Sequence, residues 1–186
     1  MSKPKIGVIV GSTRIGRFAE FPAKWIAESA TNRGDIDVEI VDLLDYPMNF
    51  FGEERSTTAQ NETAERWKKK LREFDGYIIT VAEYNHGPTA VLKNAIDLGD
   101  FIQKPVAFVG YGGVGGARAI EQLRLIFVEM GSALVKTGVH IAYSEYLTAI
   151  KGEKKLADYA HLNEAATNQL DQLVWWANAL KAARAA

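Results

Sequence analysis

Short, continuous apolar runs alternate with amphipathic stretches along the chain. The apolar runs are rich in β-branched and aromatic residues, and they predict five strands, over residues 6–10, 38–43, 76–81, 105–109 and 133–141. Apolar residues at helical spacing predict helices that begin near 17–21 and that cover 63–74, 88–99, 117–130 and 156–183. This alternation predicts an α/β fold in which helices cover both faces of a doubly wound, five-stranded parallel sheet, with residues 1–186 forming a single domain.

Two stretches lie outside the predicted helices and strands. Residues 44–61 contain Pro47, Gly52 and a charged, polar sequence, which indicates a surface loop. Residues 144–155 are also mostly polar and precede the last predicted helix.

The turn after the first strand carries the residues of a phosphate site. Gly11–Arg17 offers small residues, the Ser12 hydroxyl and the guanidinium groups of Arg14 and Arg17 where a helix begins. Backbone N–H groups and the helix dipole make such a position receptive to phosphate. The turn lacks both the Gly-Lys-Ser/Thr of a P-loop and the G-x-G-x-x-G of the dinucleotide folds. In the alternative interpretation, Ser12 is a helix cap and Arg14 is a surface charge.

Two further turns follow the third and fourth strands. Glu83-Tyr84-Asn85-His86 lies between a strand and Pro88, and alone it would be ordinary turn chemistry. Residues 110–116 contain five glycines, which lets the backbone approach a flat ligand closely; the alternative is a flexible loop. In a sheet of order 2-1-3-4-5 all three turns lie at one edge. Together they suit a flat ring with a phosphate tail, such as FMN.

Composition narrows the classes of function. The 186-residue chain has a formal net charge of −1, so we expect neither nucleic acid nor a membrane surface as a partner. It contains no cysteine, which excludes disulfides, thiolate metal ligands and cysteine nucleophiles. Its three histidines lack zinc-ligand spacing, so no metal site is expected. Neither a signal-peptide pattern nor an apolar run of about 20 residues is present, and we expect a soluble, cytoplasmic protein.

Four segments resemble motifs of the NADPH-dependent FMN reductase family, which has a flavodoxin-like fold and includes quinone, chromate and azo reductases. They are Gly-Ser-x-Arg-x-Gly at 11–16, Glu-Tyr-Asn at 83–85, Leu-Lys-Asn-Ala-Ile-Asp at 92–97 and Gly-x-x-Gly-Gly-Ala-Arg at 112–118. The resemblance implies a bound FMN that is reduced by NADPH or NADH and reoxidised by a quinone, free flavin or similar small electron acceptor. It also implies a homodimer or homotetramer with the flavins near the interface.

The resemblance assigns roles to residues of this sequence. The phosphate is expected to bind at Ser12, Arg14, Gly16, Arg17 and Phe18. The flavin ring is expected to be lined by Glu83, Tyr84, Asn85 and His86, with Gly112, Gly113, Val114 and Gly115 at its other edge. The family often has serine and asparagine where Arg17 and Ala19 stand, proline at Ala82 and tryptophan at Leu98. We expect Arg17 to compensate for the missing phosphate ligands through its charge.

The expected mechanism assigns no general acid or base, because FMN would carry the chemistry. Backbone N–H groups of residues 85–87 and 112–115 are expected to stabilise the negative charge that builds on the pyrimidine end of the ring. Glu83 is interpreted as a surface or interface carboxylate. A flavodoxin-type electron carrier and a flavin-free regulatory protein on the same fold remain as alternatives, although such carriers tend to be strongly acidic. An apolar surface at Val91, Leu98 and 101–102 predicts a symmetric dimer.

Overall fold

Six parallel strands form one sheet in the computed structural model, which describes residues 2–53 and 56–186. The strands are β1 (Lys5–Val10), β2 (Asp37–Asp42), β3 (Gly76–Ala82), β4 (Pro105–Tyr111), β5 (Ala133–Leu134) and β6 (Val139–Ile141). Their order, β2-β1-β3-β4-β5, confirms the predicted flavodoxin-like fold class, and β6 also pairs with β4. At the centre of the sheet, Val8 of β1 lies opposite Ile40 on one side and Ile78 on the other.

Helices cover both faces of this sheet. They are α1 (Glu20–Thr31), α2 (Thr58–Arg72), α3 (Ala90–Asp97), α4 (Ala117–Glu129), α5 (Tyr143–Ile150) and α6 (Ala160–Ala185), with 3-10 turns at Leu43–Asp45 and Leu156–Asp158. α1, α5 and α6 enclose a first core, and α2, α3 and α4 enclose a second. Ile6, Val8 and Val10 of β1 face the first core and Ile9 faces the second, which fixes the register of this strand. Among the described helices, none is both long and apolar enough to cross a membrane.

Helix α2 begins at Thr58 rather than at the predicted residue 63. The hydroxyl oxygen of Thr57 accepts the N–H of Gln60 at 3.3 Å, and Gln60 Oε1 accepts the N–H of Thr57 at 2.9 Å. This reciprocal capping starts the helix in a polar stretch, where apolar spacing gives no signal. The predicted loop 44–61 therefore ends before α2, and its residues 54 and 55 lie outside the described residues.

The prediction of one continuous strand over 133–141 is wrong, because residues 135–138 separate β5 from β6. Gln169 of α6 reaches the sheet at this gap and donates to the carbonyl oxygens of Phe108 at 2.8 Å and of Thr137 at 2.9 Å. Gln172 accepts the N–H of Thr137 at 3.3 Å. Side chains from a helix thus replace ladder hydrogen bonds at Thr137.

The polar segment 144–155, for which the sequence predicts no helix or strand, contains most of helix α5. Ala149 is buried in the first core, and Tyr146 packs against that core. Ala142 precedes the helix, and its methyl side chain cannot accept a hydrogen bond from the first helical turn. The sequence therefore carries no capping signal at this position. Tertiary packing therefore stabilises a short helix that local sequence does not predict.

The apolar surface predicted at residues 91–102 is largely buried within the monomer. Phe101 is 1% exposed and packs against the rings of Trp67, Tyr77 and Phe127. Val91 and Leu98 are partly buried against the second core. Of this surface, Ile102 keeps a large exposed fraction, 57%. Most of the residues on which the dimer prediction rests therefore belong to the core of the monomer.

Candidate functional site

An open cleft of about 200 Å³ lies where the carboxyl ends of β1, β3 and β4 meet. The cleft is lined by Ser12, Arg14, Arg17, Phe18, Ala82, Glu83, Tyr84, Tyr111, Gly112, Gly113, Tyr143 and Tyr146. Other residues predicted from sequence lie outside this lining: Gly16, Asn85, His86 and Val114 are exposed, and Gly115 is buried against His140.

The first turn is anchored where it leaves β1. Gly11 donates its N–H to Thr80 Oγ1 at 3.1 Å, and its carbonyl accepts the Thr89 hydroxyl at 2.8 Å. A Cβ at position 11 would lie 2.1 Å from the Thr80 carbonyl oxygen, so only glycine fits. At the other end of the turn, α1 receives no side-chain cap from a described residue. Within the first turn of α1, Phe21 donates its N–H to the Phe18 carbonyl at 2.9 Å and Pro22 has no N–H, so the helix offers a ligand mainly its dipole.

Arg17 is committed to contacts within the protein. Its Nη1 donates to the Ser12 carbonyl and to Asp42 Oδ1, both at 2.7 Å. Its Nε and Nη2 donate to Glu20 Oε1 at 3.3 and 3.2 Å, and Nη2 also pairs with Asp42. These contacts occupy all five N–H groups of the guanidinium. Direct compensation for missing phosphate ligands, as expected from the sequence, would require Arg17 to give up these partners.

Arg14 is the cation of the first turn that faces solvent. Its side chain is exposed and lines the cleft, and no ion pair involving it forms within the described part of the chain. Its backbone N–H donates to Ser12 Oγ at 3.4 Å, so the Ser12 hydroxyl closes the turn and does not cap α1. In residues 2–53 and 56–186 we find no acceptor for the N–H groups of Ile15, Gly16, Phe18 and Ala19.

The second turn has the geometry of a tight type I′ turn. Tyr84 and Gly87 exchange both backbone hydrogen bonds, at 2.9 and 3.1 Å. Asn85 and His86 between them have φ values of +48° and +76°, as this turn type requires. Gly87 therefore uses its N–H inside the turn, contrary to the expectation that it stabilises a ligand charge. The carbonyl of His86 accepts Gln122 Nε2 of α4 at 2.6 Å, which ties the turn to that helix.

Glu83 ties the third turn to the end of β3. Its side chain is 3% exposed, accepts the N–H of Arg118 at 3.1 Å and forms an ion pair with the Arg118 guanidinium. The interpretation of Glu83 as a surface or interface carboxylate is therefore wrong.

Gly116, with φ +73°, lets α4 begin in contact with β4, because a Cβ there would lie 2.7 Å from the Tyr111 nitrogen. Gly115 donates its N–H to the Gly112 carbonyl at 3.1 Å, so it is committed within the turn.

Tyr111, Tyr143 and Tyr146 form a wall of the cleft that is not predicted from the sequence. Phe18 packs edge-on against Tyr111 and Tyr146, with ring centroids 5.2 and 4.7 Å apart. Tyr143 stacks on Tyr146 at 5.8 Å and remains 56% exposed. Burial raises the pKa of Tyr111, so its hydroxyl is neutral at physiological pH. The sequence signal for this wall is the pair Tyr143 and Tyr146, which are three residues apart and follow the last strand.

A model of the NADPH-dependent FMN reductase family matches residues 4–145, which is most of the chain. The chain belongs to this family. The matched segment contains all three turns of the cleft as well as Tyr143 at the start of α5. The family predicted from the sequence motifs is thereby confirmed.

Several relatives carry corresponding names. An NAD(P)H-dependent FMN reductase from Schizosaccharomyces pombe is 34% identical over 128 residues, which cover 65% of this chain and 64% of that protein. A quinone reductase from Pseudomonas putida is 30% identical over 137 residues, or 67% of this chain and 71% of that protein. An FMN-dependent NADPH-azoreductase from Staphylococcus aureus is 26% identical over 178 residues, or 92% and 94%. The matches span slightly less than two thirds of the fungal relatives' own length.

Solved structures support the same fold. The flavoenzyme FerB, an NAD(P)H:(acceptor) oxidoreductase from Paracoccus denitrificans, superposes with a TM-score of 0.68 at 21% identity and covers 94% of this chain and 97% of its own. The apo form of the NADH:FMN oxidoreductase EMOB gives a TM-score of 0.65 at 18% identity, with coverages of 90% and 89%. At these identities the likeness establishes the flavodoxin-like architecture of this family member.

The cleft of this FMN reductase family member fits FMN in charge and in shape. Backbone N–H groups of the first turn, the dipole of α1 and the guanidinium of Arg14 provide donors and positive charge for a phosphate. Phe18, Tyr84, Tyr143 and the glycine backbone of 112–113 provide flat, largely apolar walls for an aromatic ring. The described residues hold no cluster of three or more His, Asp or Glu side chains suited to a metal ion. The donor set is thus one for a phosphorylated aromatic ligand.

Proposed function

We propose that this chain binds one FMN in the cleft and passes hydride from NADPH or NADH to a quinone or similar small acceptor. The observation that carries the proposal is the convergence of a helix N-terminus, the exposed guanidinium of Arg14 and an aromatic wall in one open cleft. The first two features recognise phosphate, and the third recognises a flat ring. When bound, FMN supplies the hydride-transfer chemistry.

In this proposal the phosphate of FMN binds at the first turn. The N–H groups of Ile15, Gly16, Phe18 and Ala19 are donors that suit phosphate oxygens. The α1 dipole adds a partial positive charge, and Arg14 adds a full one. Ser12 shapes the turn through the N–H of Arg14.

The ring end belongs between the second and third turns. Among the described residues no acceptor is found for the backbone N–H groups of Gly112 and Gly113 in the lining, or for those of Asn85, His86 and Val114 beside it. These groups are proposed as fixed dipoles for negative charge on the ligand, whereas the N–H groups of Gly87 and Gly115 are used within their turns. Preorganised dipoles stabilise such charge at low cost, because they need not reorient during the reaction. Glu83, the carboxylate in the cleft lining, is paired with Arg118. The proposal therefore assigns no general acid or base to the protein.

The acceptor is proposed to be a conjugated small molecule. Tyr143 presents 56% of its surface at the rim of the cleft, where a flat molecule can stack on it. The relatives named quinone reductase and azoreductase support an acceptor of this kind. One shallow cleft that admits the nicotinamide and then the acceptor implies that the two substrates take turns.

Steady-state kinetics test this proposal. After reconstitution with FMN, initial rates measured over a grid of NADPH and benzoquinone concentrations should give parallel double-reciprocal lines, the ping-pong pattern. FAD in place of FMN serves as the control, and it should give much less activity because the first turn accommodates one phosphate. Intersecting lines would contradict alternate occupancy. Failure to oxidise both NADPH and NADH would contradict the proposed reductase activity and favour an electron carrier or a flavin-free regulatory protein.

A dimer is proposed through the exposed face of α4. Leu125 and Val128 lie one helical turn apart and are 76% and 64% exposed, and Ile102 lies beside Gly131 at the end of the same helix. Adjacent exposed apolar residues of this kind are typical of interfaces. Light scattering should give twice the chain mass for the natural protein and the monomer mass for Leu125→Asp. A natural protein that is fully active as a monomer would contradict the proposed interface.

A further inference from the structure

Arg17 lies at the centre of an ion cluster directly behind the phosphate turn. Its side chain is 5% exposed, and its N–H groups are shared among the Ser12 carbonyl, Asp42 and Glu20. Ser12 belongs to the turn after β1, Asp42 ends β2, and Glu20 begins α1. One guanidinium therefore joins the ends of two neighbouring strands to the start of the helix that follows the turn.

We propose that Arg17 is a positioning residue: held by Asp42, it fixes the turn whose N–H groups bind the phosphate, and it does not touch the phosphate itself. The inference rests on the proposed function, because that function assigns the phosphate of FMN to this turn. It concerns how affinity arises in a chain whose first turn departs from the usual family pattern.

The charges of the cluster favour this role over direct contact. Arg17 contributes +1, Asp42 and Glu20 contribute −1 each, and Lys24, which lies 3.8 Å from Glu20 Oε2, adds +1. The cluster is therefore neutral as a whole and has no excess positive charge to attract an anion. An arginine that turned toward a phosphate would also leave the Ser12 carbonyl and the Asp42 carboxylate without their 2.7 Å hydrogen bonds. Ser12 is 2% exposed, so its carbonyl would bear the desolvation penalty of a buried group without a partner. The attraction for the phosphate is therefore assigned to Arg14 and to the backbone N–H groups.

The two roles predict opposite effects of changing Asp42. If Arg17 positions the turn, Asp42→Asn loosens the anchor and weakens FMN binding. If Arg17 contacts the phosphate, Asp42→Asn releases the guanidinium and removes a nearby negative charge, so FMN binding stays the same or tightens. The asparagine oxygen still accepts the N–H of Leu44, which Asp42 Oδ1 accepts at 2.9 Å, so the following 3-10 turn is preserved.

The experiment compares Asp42→Asn, Arg17→Gln and Arg14→Gln with the natural protein. Dissociation constants for FMN and for riboflavin are measured by flavin fluorescence quenching at low and high salt. We expect Asp42→Asn and Arg17→Gln each to weaken FMN about 10-fold, while riboflavin changes by less than about 3-fold. The salt dependence of FMN binding should be unchanged in Arg17→Gln and reduced in Arg14→Gln, because only Arg14 offers an exposed charge to the phosphate.

Unchanged or tighter FMN binding by Asp42→Asn would overturn the inference, and so would a reduced salt dependence in Arg17→Gln that matches Arg14→Gln. Either result leaves the proposed function intact, since the natural protein still binds FMN. A natural protein that binds neither flavin overturns the proposed function and this inference together. Should Arg17→Gln not fold, the isosteric Asp42→Asn variant decides by the direction of its effect alone.

Discussion

The carboxylate of Glu83 accepts the backbone N–H of Arg118 at 3.1 Å and pairs with the guanidinium of the same residue. This double contact joins the end of β3 to the first turn of α4, across the glycine turn that forms the floor of the cleft. The Glu83 side chain is 3% exposed, whereas that of Arg118 is 44% exposed. Glu83, which the sequence predicts to line the flavin ring, thus shapes the site by holding β3 and α4 together.

Glu83→Gln is expected to destabilise the protein and to weaken FMN binding. The amide keeps one acceptor but loses the charge, and charge-assisted hydrogen bonds are worth about 1.5–3 kcal/mol. We expect the free energy of unfolding in urea to fall by about 1–2 kcal/mol. Glu121→Gln is the matched control, because Glu121 forms an exposed pair with Arg124 on the same helix and should cost less than about 0.5 kcal/mol. Equal effects of the two substitutions would contradict the role given to Glu83.

Arg14→Ala should weaken FMN binding selectively. The exposed guanidinium of Arg14 is assigned to the phosphate, and one charged hydrogen bond of about 1.5–3 kcal/mol corresponds to a loss of about 10- to 150-fold. Riboflavin, which lacks the phosphate, should bind equally well to both proteins in a fluorescence titration. Lys24→Ala, which removes an exposed charge from α1 outside the cleft lining, should leave both ligands unaffected. Parallel losses for riboflavin and FMN would show damage to the fold in place of a lost phosphate contact.

Tyr143→Leu should change the preference for the acceptor. Aromatic stacking contributes about 0.5–1.5 kcal/mol, so the KM for a benzoquinone should rise about 2- to 10-fold. The KM for ferricyanide, which has no flat ring, should stay the same in the same assay. Trp175→Leu removes another exposed aromatic ring, outside the cleft lining, and should change neither constant. If Tyr143→Leu raised both KM values equally, the tyrosine would not be an acceptor contact.

Lys104 makes the stability depend on pH. It is buried at the start of β4, where its Nζ donates to the Leu71 carbonyl at 2.9 Å, and burial lowers its pKa from 10.5 to about 8. The unfolded chain therefore binds more protons than the folded protein between these values, and stability rises with pH across that window. Relative to Lys104→Met, the free energy of unfolding in urea should increase by about 2 kcal/mol from about pH 8 to about pH 10. A difference between the two proteins that does not vary with pH would contradict the lowered pKa.

The sequence predicts the sheet because its parallel strands are encoded locally, as short β-branched runs, and because topology then brings three strand ends together. It does not predict the partner of Arg17, since Asp42 is 25 residues away and reaches it through the pairing of β1 with β2. The sequence does not predict the tyrosine wall of the cleft for a related reason. Helix α5 lies in a polar segment and is stabilised by packing of Tyr146 and Ala149, which only the folded chain supplies.

The central claim is that this cleft holds an FMN that accepts hydride from a reduced nicotinamide. Its most direct test is an anaerobic titration of the FMN-reconstituted, desalted protein, followed by visible absorption. We predict that the oxidised flavin spectrum is retained through desalting, bleaches as NADPH is added and returns when a benzoquinone follows. A flavin that stays with the protein but remains oxidised in excess NADPH and NADH would contradict the claim.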